Sequence, residues 1–194
     1  MEKAKSIQLA GICGVLIPIV VFFSIGAALS ESPWFSWTQH ALSDLGVEGI
    51  SAFFFNNGII LAGLLLLIFA YGLSKKLTRK TGAYSLVISS LALVGVGLFP
   101  MTIFALHFAL SVMFFVFLVL ALFIIGLTIK NNKFEHALGL AAIIFAFIAC
   151  CSTIFLKFIE GIAIPELIIT FPAFLWIMVY GIKITLESNK KIPL

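Results

Sequence analysis

Six runs of roughly twenty apolar residues, each closed by a short polar turn, take up almost the whole of this chain. A run of that length can satisfy its own backbone N–H and C=O groups in lipid only by coiling into a helix. The runs place spanning helices at about 6–29, 51–73, 82–99, 101–128, 134–156 and 165–186. The expected fold is therefore all-α: a polytopic membrane protein with six transmembrane helices in one bundle spanning 1–194. Pro100 stops the third helix, and Pro165 fits the first turn of the sixth, where its missing N–H is harmless.

Composition agrees, since 62% of residues are hydrophobic and only 10% charged. Soluble domains run nearer one half and one quarter, and water would not solvate this surface. No room is expected for a separate soluble domain, and the sequence shows no long linker, low-complexity tract or internal repeat. The first run exceeds the 7–15 residues of a signal-peptide core and is expected to be retained as a helix. The net charge of +4 does not point to nucleic acid, because in a membrane chain the position of charges outweighs their sum.

Six spans bring the N-terminus, the second and fourth turns and the C-terminus to one side. That side carries Lys3, Lys5, Lys75, Lys76, Arg79, Lys80, Lys130, Lys133, Lys183, Lys190 and Lys191, eleven of the twelve Lys and Arg, against Lys157 alone opposite. The positive-inside rule then sets a multi-pass protein in the cell membrane with both termini cytoplasmic. An odd number of helices would scramble this alternation, so the charges test the helix count independently.

Residues Pro33 to Leu45, in the first outer connector, read as a short amphipathic interfacial helix. Trp34, Trp37, Ala41 and Leu45 share one face, and Ser36, His40, Ser43 and Asp44 another. Tryptophan rings are stable at headgroup level, so Trp37 is a candidate lipid contact.

Catalytic residue types gather outside: His40, Asp44, Glu48, His107, Glu160 and Glu166, with His136 on the inner side. The inner halves of the helices read as almost free of ionisable residues. His40 and Asp44 are four apart, within contact on a helix, and a carboxylate beside an imidazole fixes its tautomer and raises its basicity. Against this stands an exposed pair that merely stabilises a short helix. Ser43, three residues from His40, would add a hydroxyl, but no GxSxG elbow accompanies it.

His107 sits roughly 8–10 Å deep in helix four and must face other helices or a wet cavity. It is equally explained by an inter-helix hydrogen bond. Asn56 and Asn57 enter helix two just below the outer surface, where amides join helices. Glu166 opens helix six, where an acid complements the helix dipole. Converged at the outer mouth, His40, Asp44, His107 and Glu166 would make a reasonable set for a divalent metal such as zinc, although no HExxH or Cys/His spacing supports it. Cys13, Cys150 and Cys151 form no CxxC pair and read as small buried apolar residues. Paired glycines (Gly11 and Gly14, Gly58 and Gly63, Gly95 and Gly97) offer surfaces for close helix approach.

Several segments resemble a membrane family, domain of unknown function 998. They are Gln39-His40-Ala-Leu-Ser43-Asp44-Leu-Gly46, Phe55-Asn56-Asn57-Gly58, Gly95-Val-Gly97-Leu-Phe99-Pro100 followed by His107, and Gly161-Ile-Ala-Ile-Pro165-Glu166. The resemblance covers nearly the whole chain and implies a six-helix bundle. By matching position it implies His40, Ser43, Asp44, Asn56, His107 and Glu166 as the group of interest. A Ser-Asp-x-Gly segment after the first helix is also similar, more weakly, to the six-helix family of autophagy-modulator and Frag1 membrane proteins. That similarity implies a connection with lipid.

Three functions follow as expectations. One is binding or catalysis at the outer face on a lipid or lipid-linked substrate. A second is a structural or accessory subunit whose outer polar residues lock the connector to the bundle. A third is binding or transport of a small ligand or ion, for which six helices would need to form a homo-oligomer.

Overall fold

The computed structural model of the chain describes residues 2–129, 133–152, 154, 158 and 160–190. Six helices long and apolar enough to cross a membrane account for most of them: α1 (Glu2–Ser30), α2 (Gly49–Lys76), α3 (Thr81–Leu98), α4 (Phe104–Thr128), α5 (Lys133–Ser152) and α6 (Ala163–Asn189). Lys130, Lys157, Lys191 and the expected end of the fifth span at residue 156 lie outside the described residues.

Each helix packs on its neighbours in the chain, and α6 closes on α1, so the bundle is a ring in sequence order. The short turns after α2, α3 and α4 force neighbouring placement there, because a helix leaving a tight turn has no reach beyond the adjacent position. The pattern is an apolar interior under an equally apolar exterior. On α4 the buried side is His107, Phe114, Leu118, Ala121, Leu122 and Ile125, one stripe at three- and four-residue spacing. Phe104, Phe108, Val112, Val116, Leu120 and Phe123 point outward and are exposed. Such a surface is stable only in lipid.

Without a hydrophobic drive between helices in lipid, close packing and polar contacts must hold them. At Gly72 of α2, a Cβ atom would collide with Ala10 of α1, and at Gly126 of α4 it would lie 2.6 Å from the Gly139 carbonyl of α5. Two serines on one face of α3 reach α4: the Ser85 and Ser89 hydroxyls each donate to a carbonyl, Phe117 and Phe114, at 2.9 Å. The Trp176 indole N–H of α6 donates to the Leu138 carbonyl of α5 at 2.8 Å.

The basic end departs from expectation. Lys183 Nζ donates to Glu135 Oε1 at 2.6 Å and also to Glu187, and Lys76 Nζ donates to Glu187 Oε2 at 2.7 Å. Glu135 and Lys183 side chains are only 3% and 10% exposed. The inner helix halves are thus not nearly free of ionisable groups. Because α2 runs on to Lys76 and α6 to Asn189, Lys76 and Glu187, which read as turn and tail, lie inside helices and join Glu135 and Lys183 there.

The connector between α1 and α2 also departs. Residues 33–41 form turns, and only Leu42–Gly46 is helical, as a 3₁₀ turn. A continuous helix would need the amide and carbonyl groups that this segment gives to side chains and to α6, as described below.

Gly72→Leu should lower the melting temperature of detergent-solubilised protein, the overpacking costing about 1–3 kcal/mol. Gly26→Leu, where a side chain meets open space, should leave it unchanged. Equal melting curves would rule out the close α1–α2 contact. Glu135→Ala should cost up to about 3 kcal/mol, because it breaks a buried pair. The joint variant E135L/K183L should recover most of that loss, and a further drop would show that the pair itself is net stabilising.

Candidate functional site at the connector end

The connector lies across one end of the ring and is bound to it at three places. The first is backbone. The His40 carbonyl accepts the N–H groups of Ile162 and Ala163 at 3.1 and 3.0 Å, and the Thr38 carbonyl accepts that of Gly161 at 2.8 Å. These amides stand at the entry of α6, where the first turn has no intrahelical partners for its N–H groups. The connector therefore caps α6 with main chain. Gly161 is required there, because a Cβ would strike the backbone of Gln39 and His40.

The second tie is Glu166, one turn into α6, whose Oε2 accepts the Leu42 N–H at 2.7 Å. The third is Asn56 of α2, whose amide donates to the Gly46 carbonyl at 2.9 Å. Between these ties Leu42 and Leu45 are buried and plug the mouth of the ring.

His40 and Asp44 do not pair through their side chains. The His40 Nδ1 accepts the Ser36 N–H at 3.0 Å, so that nitrogen is the unprotonated one in the neutral ring. The ring sits edge-on to Trp34 and stacked near Phe35, at centroid distances of 5.1 and 5.7 Å. Asp44 instead accepts the Ala41 N–H at 2.8 Å and caps the 3₁₀ turn. The i,i+4 geometry that would join them exists only in an α-helix, and here the backbone is extended at Ala41, between them.

His107 is fully buried on α4. Its Nδ1 lies 2.7 Å from the Phe99 carbonyl, which only accepts, so Nδ1 carries the proton. It satisfies an orphan carbonyl at the end of α3 across the Pro100 turn. The Nε2 atom is buried and has no hydrogen-bond partner. Among the described residues no three of His, Cys, Asp or Glu stand close enough to hold a metal ion. The set His40, Asp44, His107 and Glu166 is not gathered about a point, because each is turned to backbone.

Ser43 and Glu166 do come together. With Ser111 of α4 and Thr170 of α6 they line a small cavity of about 50 Å³ directly beneath the connector, otherwise walled by apolar side chains. On the lipid side, α4 and α5 separate beyond the Gly126–Gly139 contact and leave an apolar groove of about 550 Å³, lined by Val116, Leu120, Phe123, Ile143 and Phe147 among others. Phe115 borders both the cavity and the groove.

Neither Ser111 nor Thr170 stood out in the sequence, since single hydroxyls in apolar helices carry no spacing signal. Cys13 is buried as expected, whereas Cys150 and Cys151 are exposed on α5, and Cys150 lines the groove. Trp34 and Trp37 are half-exposed on the connector. Asn57 bonds only within its own helix, to the Phe53 carbonyl at 2.7 Å, and Glu48 and Glu160 are exposed.

No curated protein and no solved structure matches the chain. The model of the family described as Protein of unknown function (DUF998) matches residues 13–183. That match takes in every tie between connector and bundle and both walls of the groove, and the protein belongs to this family.

Proposed function

We propose that this protein binds a membrane lipid, with an acyl chain lying in the α4–α5 groove and the polar end turned toward the cavity beneath the connector. The observation that carries this reading is the border at Phe115, where a lipid-facing apolar groove meets a cavity bearing Ser43, Ser111, Glu166 and Thr170. An apolar groove open to the bilayer fills with hydrocarbon, because an empty one forfeits dispersion contacts on its walls. The few polar groups beyond Phe115 would select among headgroups or glycerol-level oxygens. Charge distribution supports a cell-membrane setting with the connector end outside and the termini in the cytoplasm. Binding is favoured over catalysis, since His40 and Asp44 do not pair, and one acceptor atom each of His40, Asp44 and Glu166 already holds a backbone N–H group. Zinc or another metal would require His40, Asp44, His107 and Glu166 to converge, and among the described residues no three His, Cys, Asp or Glu stand close enough to hold one.

A second reading has its own support. His40, Asp44, Asn56 and Glu166 all hold backbone of the connector or α6 in place, which is what a latch in a structural or accessory subunit would do.

The two separate by experiment. Val116→Trp, which fills the groove from an exposed position, should markedly reduce the phospholipid retained per protein after a delipidating wash. Val112→Trp, exposed one turn away and outside the groove, should not. Equal retention in both would remove the groove as a lipid site. Glu166→Ala should cost about 1–3 kcal/mol of stability by leaving the buried Leu42 N–H without its acceptor. If retained lipid is also altered in composition, the cavity takes part in binding. Lower stability with unchanged lipid would favour the latch.

A further inference from the structure

The opposite end of the bundle carries a groove of different character. It is about 450 Å³ in volume, lies between the ends of α1, α2 and α6, and is lined by Lys3, Ala4, Ile7, Lys75, Lys76 and Glu187 with Ser188. Its charges are unequal. Glu187 is engaged by both Lys76 and Lys183. Among the described residues no carboxylate lies within 4.0 Å of the Lys3 or Lys75 ammonium. Two cationic side chains thus face one recess without a counter-charge from the protein, and a third, Lys76, borders it.

The depth of the groove is fixed independently. The tight α1–α2 contact at Gly72 and Ala10 closes the helices just below it, so the opening lies at the helix ends. Tyr71 is 55% exposed, and the Lys75 ammonium stands 4.8 Å above its ring. A tyrosine and a lysine together on a lipid-facing helix end mark the headgroup level. Ala4 and Ile7 give the groove one apolar wall. A phosphate flanked by hydrocarbon fits this combination of cations, depth and apolar wall, whereas a soluble anion would use only the cations.

We propose that this groove holds the phosphate of an anionic phospholipid in the leaflet on the basic side of the protein. The site is separate from the α4–α5 groove and stands whether or not that groove binds lipid. Lys3 and Lys75 supply the charge–charge contact, and Lys76 is positioned by Glu187 at the rim.

Native mass spectrometry of the full chain in detergent tests the assignment, with phosphatidylglycerol and phosphatidylcholine of identical acyl chains as probes. Tighter binding of phosphatidylglycerol is expected, weakened about fivefold for each lysine removed in Lys3→Gln and Lys75→Gln. Arg79→Gln with Lys80→Gln removes the same charge from the same end outside the groove and should leave binding unchanged. Equal binding of the two lipids overturns the proposal, as does an equal loss in the Arg79 and Lys80 variant, which would mean diffuse attraction. Displacement by inorganic phosphate at the lipid's own concentration would overturn the lipid as the source of the phosphate. Variants whose melting temperature falls are replaced by Lys3→Met or Lys75→Met, which keep the packing of the stem.

Discussion

Lipid offers no hydrogen bonds, and nearly every local feature of this protein follows from that. A polar group that leaves water here must find its partner inside the chain. The helices satisfy their own interiors, but their ends do not. The connector end solves this with main-chain and side-chain partners: the His40 and Thr38 carbonyls accept the entry amides of α6, Glu166 accepts the Leu42 amide, and the His107 Nδ1–H donates to the Phe99 carbonyl. The basic end has water and headgroups nearby and can keep charges, so it is closed by ion pairs among Lys76, Glu135, Lys183 and Glu187.

This contrast explains why the residues that looked most chemical in the sequence are so occupied. A histidine or carboxylate at membrane depth is costly unless bonded, and here the backbone does the bonding. What remains unbound is humbler. The Ser43 and Ser111 hydroxyls border the cavity, His107 Nε2 is buried without a partner, and a large apolar groove lies open to lipid. A binding protein for hydrocarbon with a small polar terminus needs little more than this.

The architecture was legible because hydropathy and charge alternation are long-range averages. Six apolar runs and eleven cations on one side cannot easily arise from another helix count. The site was legible only in part. Glu166 and Asn56 were found because a polar residue just inside a span has few places to go, and both meet the connector. The His40–Asp44 pair was misjudged because spacing implies contact only on an α-helix, and whether thirteen residues form one depends on tertiary demand for their backbone groups. Glu135 and Lys183 lie inside helices also legible in the sequence, but nothing in their spacing shows that α5 and α6 bring them face to face.

The connector therefore has a double nature that bears on how any ligand reaches the cavity. Its ties to α6 and α2 are a few hydrogen bonds, each of net worth near 1 kcal/mol, more where a charged acceptor is involved. Leu42 and Leu45, buried in the mouth, add the larger share through apolar burial. Opening this cap from water would expose both leucines and strand the α6 amides together. Entry from the bilayer would pass Phe115, which borders both groove and cavity among apolar groups. For the lipid ligand proposed above, the side route would be the easier one, since such a molecule is already dissolved in the membrane.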